Sequence, residues 1–189
     1  QYLRPEILGF VLGSTIAAIA AEKAGILSPG SLAVSGPQEP EAAFVLRRRA
    51  VESGSTLLWV DPLSTNGGDQ VAGHLRWRRG LPGLVQRHNA AVALGLVRAL
   101  RQRGWRIPDQ AIVEGFENAR WPARLQPVLW QGQPLLLDGA HNLPATQALR
   151  RELDQAEAAE HRRCWVLGVL ANKPAPAMVR ALLAPSDRA

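Results

Sequence analysis

Apolar residues recur in short blocks whose spacing switches between helical periods and continuous runs, and this alternation predicts where helices and strands belong. Residues 14–24 predict a helix. Ile16 and Ile19 lie three apart among alanines, Ser14 or Thr15 caps the start, and Gly25 is a natural residue for the left-handed stop. A short strand over 31–35 follows the turn Ser28-Pro29-Gly30. Residues 40–53 predict a helix opened by Pro40, with Glu41 early and Arg47, Arg48 and Arg49 late, as the helix dipole favours. The run 56–60, ending at Asp61-Pro62, reads as a buried strand. The polar, Gly-rich stretch 64–69 reads as loop, and the weak alternation over 71–79 as an edge strand or hairpin. Val92, Leu96 and Leu100 recur every four residues and mark a helix over 89–103. A further helix over 109–119 has Asp109, after Pro108, as its cap.

The pattern then restarts. Residues 125–130 and 134–137 read as strands around the tight turn Gln131-Gly132-Gln133, followed by a helix over 144–159, a buried strand over 163–170 and a helix from 175 to 183. Strand and helix alternate throughout, so the class is α/β with a largely parallel sheet. Trp121-Pro122-Ala123 separates the two series and sets a domain boundary, 1–120 and 121–189.

Composition narrows the picture. With 47% apolar and 20% charged residues the chain can bury a core, which argues against disorder. A single cysteine, Cys164, excludes a disulfide framework and any multi-thiolate metal site and suits a reducing cytoplasm. In its apolar run Cys164 reads as inert. No apolar run reaches the roughly 18 residues of a membrane helix. The chain opens on Gln1 rather than Met, which points to processing or to a fragment. The formal charge is +6, and from Gln70 to Pro108 eight arginines stand without one acid. Such a stretch could attract nucleic acid or a polyanionic ligand. With no interleaved aromatics and no zinc-finger or helix-turn-helix signature, a solvated helix face with loops is the favoured reading. Lys23 and Lys173 are the only lysines among 22 basic residues.

The sharpest constellation is Leu135-Leu136-Leu137-Asp138-Gly139-Ala140-His141-Asn142. A buried strand would deliver Asp138 at its carboxyl end, where ligands bind in open α/β sheets. The carboxylate could accept from ribose hydroxyls or hold a metal, and the helix behind it favours phosphate. Equally, Asn142 could cap that helix while Asp138 satisfies backbone amides. Asn89 could cap its helix or reach a base. Arg124 could grip phosphate bidentately or pair with an acid. Lys23 could simply complement a helix end. His74 and His161 have no apparent partner. Neither Gly-x-x-x-x-Gly-Lys-Ser/Thr nor Gly-x-Gly-x-x-Gly occurs.

Together these motifs resemble the folylpolyglutamate synthase / dihydrofolate synthase branch of the Mur-ligase-like family. Leu12-Gly13-Ser14-Thr15-Ile16 and Glu22-Lys23-Ala24-Gly25-Ile26, with Pro29-Gly30, resemble the family's Leu-Gly-x-Thr-Leu, Glu-Lys-Ala-Gly-Ile and Pro-Gly. The loop 81–91 ending in Asn89-Ala90, Trp121-Pro122-Ala123-Arg124-Leu125, Asp138-Gly139-Ala140-His141-Asn142, and Gly168-Val169-Leu170 with Lys173 follow in family order. Glu-Lys-Ala-Gly-Ile speaks for the folate branch over ligases of peptidoglycan precursors or cyanophycin. A non-catalytic nucleotide- or anion-binding module is the reading from another class.

The resemblance implies the back of a P-loop ATPase domain followed by the start of a Rossmann-like C-terminal domain. It implies a cytoplasmic, monomeric enzyme that uses ATP and Mg²⁺ to join L-glutamate to dihydropteroate or a reduced folate through an acyl phosphate, without nucleic acid or membrane. By resemblance Lys23 is a carbamylated Mg²⁺ ligand, Asn89 lies near the base, Arg124 on the phosphates and Asp138 on the ribose, with His141 in the same pocket. The sequence departs from the family pattern in several places. The phosphate loop and an upstream metal-binding Glu precede the matched region, and the end of the second domain lies beyond it. Leu8 stands where a metal-binding His is expected, Val85 replaces a His, Ala123 a Gly, and Leu143 precedes Pro144. The expectation is a fragment with little ligase activity alone.

Overall fold

The computed structural model describes residues 15–66, 68–155 and 163–188. The expectations for Leu8, Leu12-Gly13-Ser14, residues 156–159 and His161 fall outside these. Two compact units form. Unit 1 holds the chain up to Arg79 together with Arg87–Asn118, and unit 2 holds Gly80–Gln86 and the chain from Ala119 onward.

In unit 1, α1 (Ile16–Lys23) is capped by Thr15, whose side chain accepts from the Ala18 N–H at 3.1 Å. The helix tightens into a 3₁₀ turn, Ala24–Ile26, so Gly25 is not the expected left-handed stop. Strands β1 (Leu32–Ser35) and β2 (Thr56–Trp59) pair in parallel across α2 (Pro40–Ser53), which ends on left-handed Gly54 (φ 65°). The expected loop at 64–69 instead starts an antiparallel meander: β3 (Ser64–Asn66), β4 (Asp69–Ala72) and β5 (Leu75–Trp77). Polarity misled here because β3 is an exposed edge strand with no apolar face to bury. Of the two alternatives for 71–79, edge strand or hairpin, the chain takes the hairpin, as β4 and β5.

Helix α3 (Val85–Gln102) starts one turn earlier than its periodicity suggests. Its buried side is Ala90, Ala91, Leu94, Gly95 and Ala99, while Leu96 and Leu100 face outward. Small residues win that face because the sheet lies too close for leucine. A Cβ on Gly95 would stand 2.7 Å from Val34 Cγ1 and 3.3 Å from Val60 Cγ1. Helix α4 (Asp109–Glu117) begins at Asp109 rather than being capped by it. The core joins Leu63, Leu75, Trp77, Leu94 and Ile112, and the Trp77 ring stacks on Phe116 at 4.7 Å.

Several arginines of the acid-free stretch are engaged within this unit. Arg76 pairs with Asp69, Arg87 and Arg103 donate to the carbonyls of Leu63 and Gly30, and Arg101 donates to Ile107 O and pairs with Asp109.

In unit 2, β6 (Gln126–Trp130) and β7 (Gln133–Leu137) form a hairpin. Gln131 (φ 49°) and Gly132 (φ 76°) turn it in the type I′ geometry that matches strand twist. Helices α5 (Leu143–Gln155) and α6 (Ala175–Leu182) follow, with Thr146, Leu149, Met178 and Leu182 buried. The strand expected at 163–170 reduces to one bridge, Cys164 to Arg188. Its apolar residues match a strand's composition, but without a ladder partner Val166 is 98% exposed, and Cys164 is exposed rather than buried. The sheets are therefore one parallel pair and two antiparallel assemblies among the described residues, not one largely parallel sheet. No helix among those residues is long and apolar enough to cross a membrane.

Candidate functional site

Unit 2 gathers three of the five expected residues around one carboxylate. Strand β7 ends at Leu137 and delivers Asp138, half-buried, into the loop before α5. Asp138 Oδ1 accepts from the Ala140 N–H at 2.9 Å, and Oδ2 accepts from the Leu125 N–H at 3.0 Å. The second bond reaches 13 residues back to the loop that carries Arg124. The Gly139 N–H closes the same connection onto Ala123 O at 2.8 Å. Asp138 thus satisfies backbone amides, as its plainer reading held, and each carboxylate oxygen keeps a lone pair for a hydroxyl donor. His141 is exposed, with Nδ1 2.9 Å from Gly139 O. Asn142 Oδ1 accepts from the Ala145 N–H at 2.9 Å, so Asn142 caps α5.

The loop around Arg124 carries a feature that motif spacing does not expose. Ala123 (φ 54°) and Leu125 (φ 44°) are both left-handed without being glycine. Gln126 Oε1 accepts from the Ala123 N–H at 2.9 Å. The one sequence signal was Ala123 itself, standing where the resembled family has glycine.

The other two residues lie in unit 1. Lys23 ends α1, its side chain is 70% exposed, and its Nζ pairs with Glu22 Oε1 at 3.0 Å. Among the described residues no three His, Cys, Asp or Glu side chains come together as a metal would need. An ammonium has no lone pair for a cation, so this pair as it stands does not fit Mg²⁺. Asn89 is exposed in the second turn of α3, so it does not cap that helix. His74, given no role by the sequence, sits 2.6 Å from Asp109 Oδ2. Arg101 holds the other oxygen at 2.7 Å. These bonds, His74 first, hold the Asp109 carboxyl below its ordinary range.

Comparison with known proteins shows what the chain is similar to. Residues 123–189 match the family model described as dihydrofolate synthetase, C-terminal domain. The chain is 30% identical over 186 residues to a dihydrofolate synthase/folylpolyglutamate synthase of Bacillus subtilis, covering 91% of this chain and 43% of that protein. It is 32% identical over 189 residues to a folylpolyglutamate synthase of Lacticaseibacillus casei, covering 92% of this chain and 43% of that one. A solved structure of the Mycobacterium tuberculosis folylpolyglutamate synthase complexed with ADP superposes with a TM-score of 0.77 at 29% identity, over 90% of this chain and 41% of the other. The chain therefore spans less than half the length of these relatives. Over that span, through both units, it belongs to the folylpolyglutamate synthase / dihydrofolate synthase family.

Proposed function

We propose that the chain carries nucleotide-binding residues of an ATP-dependent ligase that joins L-glutamate to dihydropteroate, to a reduced folate, or to both. Unit 1 is read as the later part of the ATP-binding domain and unit 2 as the start of the C-terminal domain. The supporting observation is the Asp138 carboxylate, pinned at the end of β7 and bonded to the loop of Arg124. In this reading Arg124 meets the phosphates, Asp138 accepts from the ribose hydroxyls, His141 flanks them, and Asn89 lies near the base.

The reaction has two steps. A carboxylate oxygen of the pteroate or folate attacks the γ-phosphorus of ATP, and ADP leaves. The glutamate amine then attacks the acyl carbon, loses a proton, and inorganic phosphate departs with the C–O electron pair. The barrier is electrostatic, and a fixed guanidinium lowers it by meeting charge that builds on the transferring phosphoryl group. Lys23 is the proposed site of carbamylation, which would turn an exposed ammonium into an anionic oxygen donor. As the unmodified pair with Glu22 it is no Mg²⁺ ligand.

The test is isothermal titration of ATP into the 189-residue chain and its Asp138→Asn variant. The amide keeps one acceptor for the loop and loses the charge. Expected is a loss of roughly 1–3 kcal/mol in ATP binding with secondary structure retained. Unchanged affinity would sink the nucleotide assignment. With no phosphate-loop motif in the sequence, turnover of ATP and glutamate by the chain alone is expected to be negligible.

A further inference from the structure

Arg124 sits in a backbone conformation that its own neighbours resist. Ala123 and Leu125, on either side, are both left-handed, a region L residues avoid because Cβ crowds the following carbonyl. Two such residues around one arginine persist only where surrounding bonds over-determine them, and such places cluster at functional sites. Here the bonds can be named. The Ala123 N–H donates to Gln126 Oε1 at 2.9 Å, Ala123 O accepts from the Gly139 N–H at 2.8 Å, and the Leu125 N–H donates to Asp138 Oδ2 at 3.0 Å. The Leu125 side chain presses on Gly83, where a Cβ would lie 3.0 Å from Leu125 Cδ1.

The arginine itself is treated differently. Its side chain is half-buried, yet it makes no hydrogen bond or ion pair with the described residues. The backbone is fastened on both sides of a guanidinium left available, which is how a chain would present a charge to an anion it does not itself contain.

We infer that Gln126 is a positioning residue: by holding the Ala123 N–H it keeps the loop in its strained form and so sets the direction of the Arg124 guanidinium. This rests on the reading of Arg124 as a phosphate-binding residue. Gln126 is the first residue of β6, so a strand fixes its backbone. Its side chain reaches three residues back, a bond that lasts only while the loop stays strained. Without the acceptor, the Ala123 N–H loses its partner in a part-buried position, and the loop relaxes to ordinary dihedrals with Arg124 aimed elsewhere.

The experiment compares the 189-residue chain with Gln126→Met, Gln126→Glu, Arg124→Ala and the double variant Arg124→Ala/Gln126→Met. ATP affinity is measured by calorimetry at fixed salt, and timed trypsin digestion follows cleavage after Arg124 against cleavage after Arg103. Methionine keeps length without the amide acceptor, and glutamate keeps the acceptor. Expected for Gln126→Met is a roughly tenfold loss of ATP affinity. The double variant should bind no more weakly than Arg124→Ala, and Gln126→Glu should rescue. Cleavage after Arg124, but not after Arg103, should quicken in Gln126→Met alone. Should that variant unfold, seen as faster cleavage everywhere, Gln126→Asn repeats the test with the acceptor withdrawn by one methylene. Unchanged cleavage after Arg124, or a loss of affinity that adds fully to that of Arg124→Ala, overturns the inference. If Arg124→Ala binds ATP like the parent, the nucleotide reading fails, and the cleavage arm still decides whether Gln126 fixes the loop.

Discussion

In unit 1 the Trp77 indole is 2% exposed, stacked on Phe116, with its N–H given to buried Gln70 at 3.0 Å. In unit 2 the hairpin leaves Leu135, Leu136 and Leu137 each more than 40% exposed, and backbone amides converge instead on two carboxylates. Asp138 takes the amides of Leu125 and Ala140. Asp187 takes those of Arg163 and Ala184 together with the Trp165 indole at 2.9 Å. One unit is held by filled volume, where the penalty for change scales with atoms removed or added. The other leans on charge-assisted bonds that exist only while the carboxylates are ionised. The two should therefore fail under different stresses, and hydrogen exchange read separately over each unit distinguishes them.

The largest expected effect is Trp77→Ala. It opens a cavity among Leu75, Leu94 and Ile112 and strips Gln70 Oε1 of its donor. The loss should be roughly 3–5 kcal/mol, seen as faster exchange of unit 1 amides while Leu125 and Ala140 in unit 2 keep their protection. Equal loss in both units would break the comparison.

Overpacking is the converse. Gly95→Ala adds helix propensity in mid-α3, yet its Cβ would stand 2.7 Å from Val34 Cγ1. Valine is stiff at χ1 and cannot swing aside. The clash should win, costing roughly 1–3 kcal/mol net in unit 1. A stabilised variant would show that α3 can lift from the sheet.

Acid should act on unit 2 first. The Asp187 carboxyl is held below the ordinary aspartate value of 3.8, chiefly by the Ala184 amide and then by the Trp165 indole. Because the folded value is depressed, its contribution is fully present above that ordinary value and is lost as pH falls through the lower folded one. Trp165 sits on this carboxylate, so a shift in its emission below pH 4, absent in Asp187→Asn, reports the loss. An acid transition unchanged by Asp187→Asn would place the sensitivity elsewhere.

These contrasts also mark what could be read without coordinates. Most helices and every strand but β3 were legible, because α2, α4 and α6 carry their periodicity or punctuation within a few residues. The buried side of α3 was not, since Val92, Leu96 and Leu100 advertise a stripe while steric room against Val34 selects Ala91, Leu94 and Gly95. Pairing was illegible for a related reason. A run such as 163–170 encodes apolarity, but a ladder needs a partner at the right distance. The candidate site was legible as motifs, with Asp138 and Arg124 both named from sequence. Their connection was not, because it runs through the main chain of Leu125 and Ala123 and through Gln126, whose role depends on dihedrals no side-chain pattern displays.

The smallest expected effect sharpens the comparison most finely. Unit 1 has its own carboxylate cluster, His74–Asp109–Arg101, and on bond lengths alone it looks as firm as the one on Asp187. Solvent distinguishes them. The His74 side chain is 77% exposed and that of Asp109 45%, whereas the Asp187 side chain is fully covered. Water competes for every bond in the first cluster and screens its charges, so the pair adds little over its hydrated, separated state. His74→Ala should therefore leave the unit 1 unfolding midpoint within error at neutral pH. Raising salt should change parent and variant alike, while Asp187→Asn visibly lowers the midpoint of unit 2. A substantial loss from His74→Ala would mean that unit 1 also depends on a carboxylate, and the division between packed volume and seated charge would not hold.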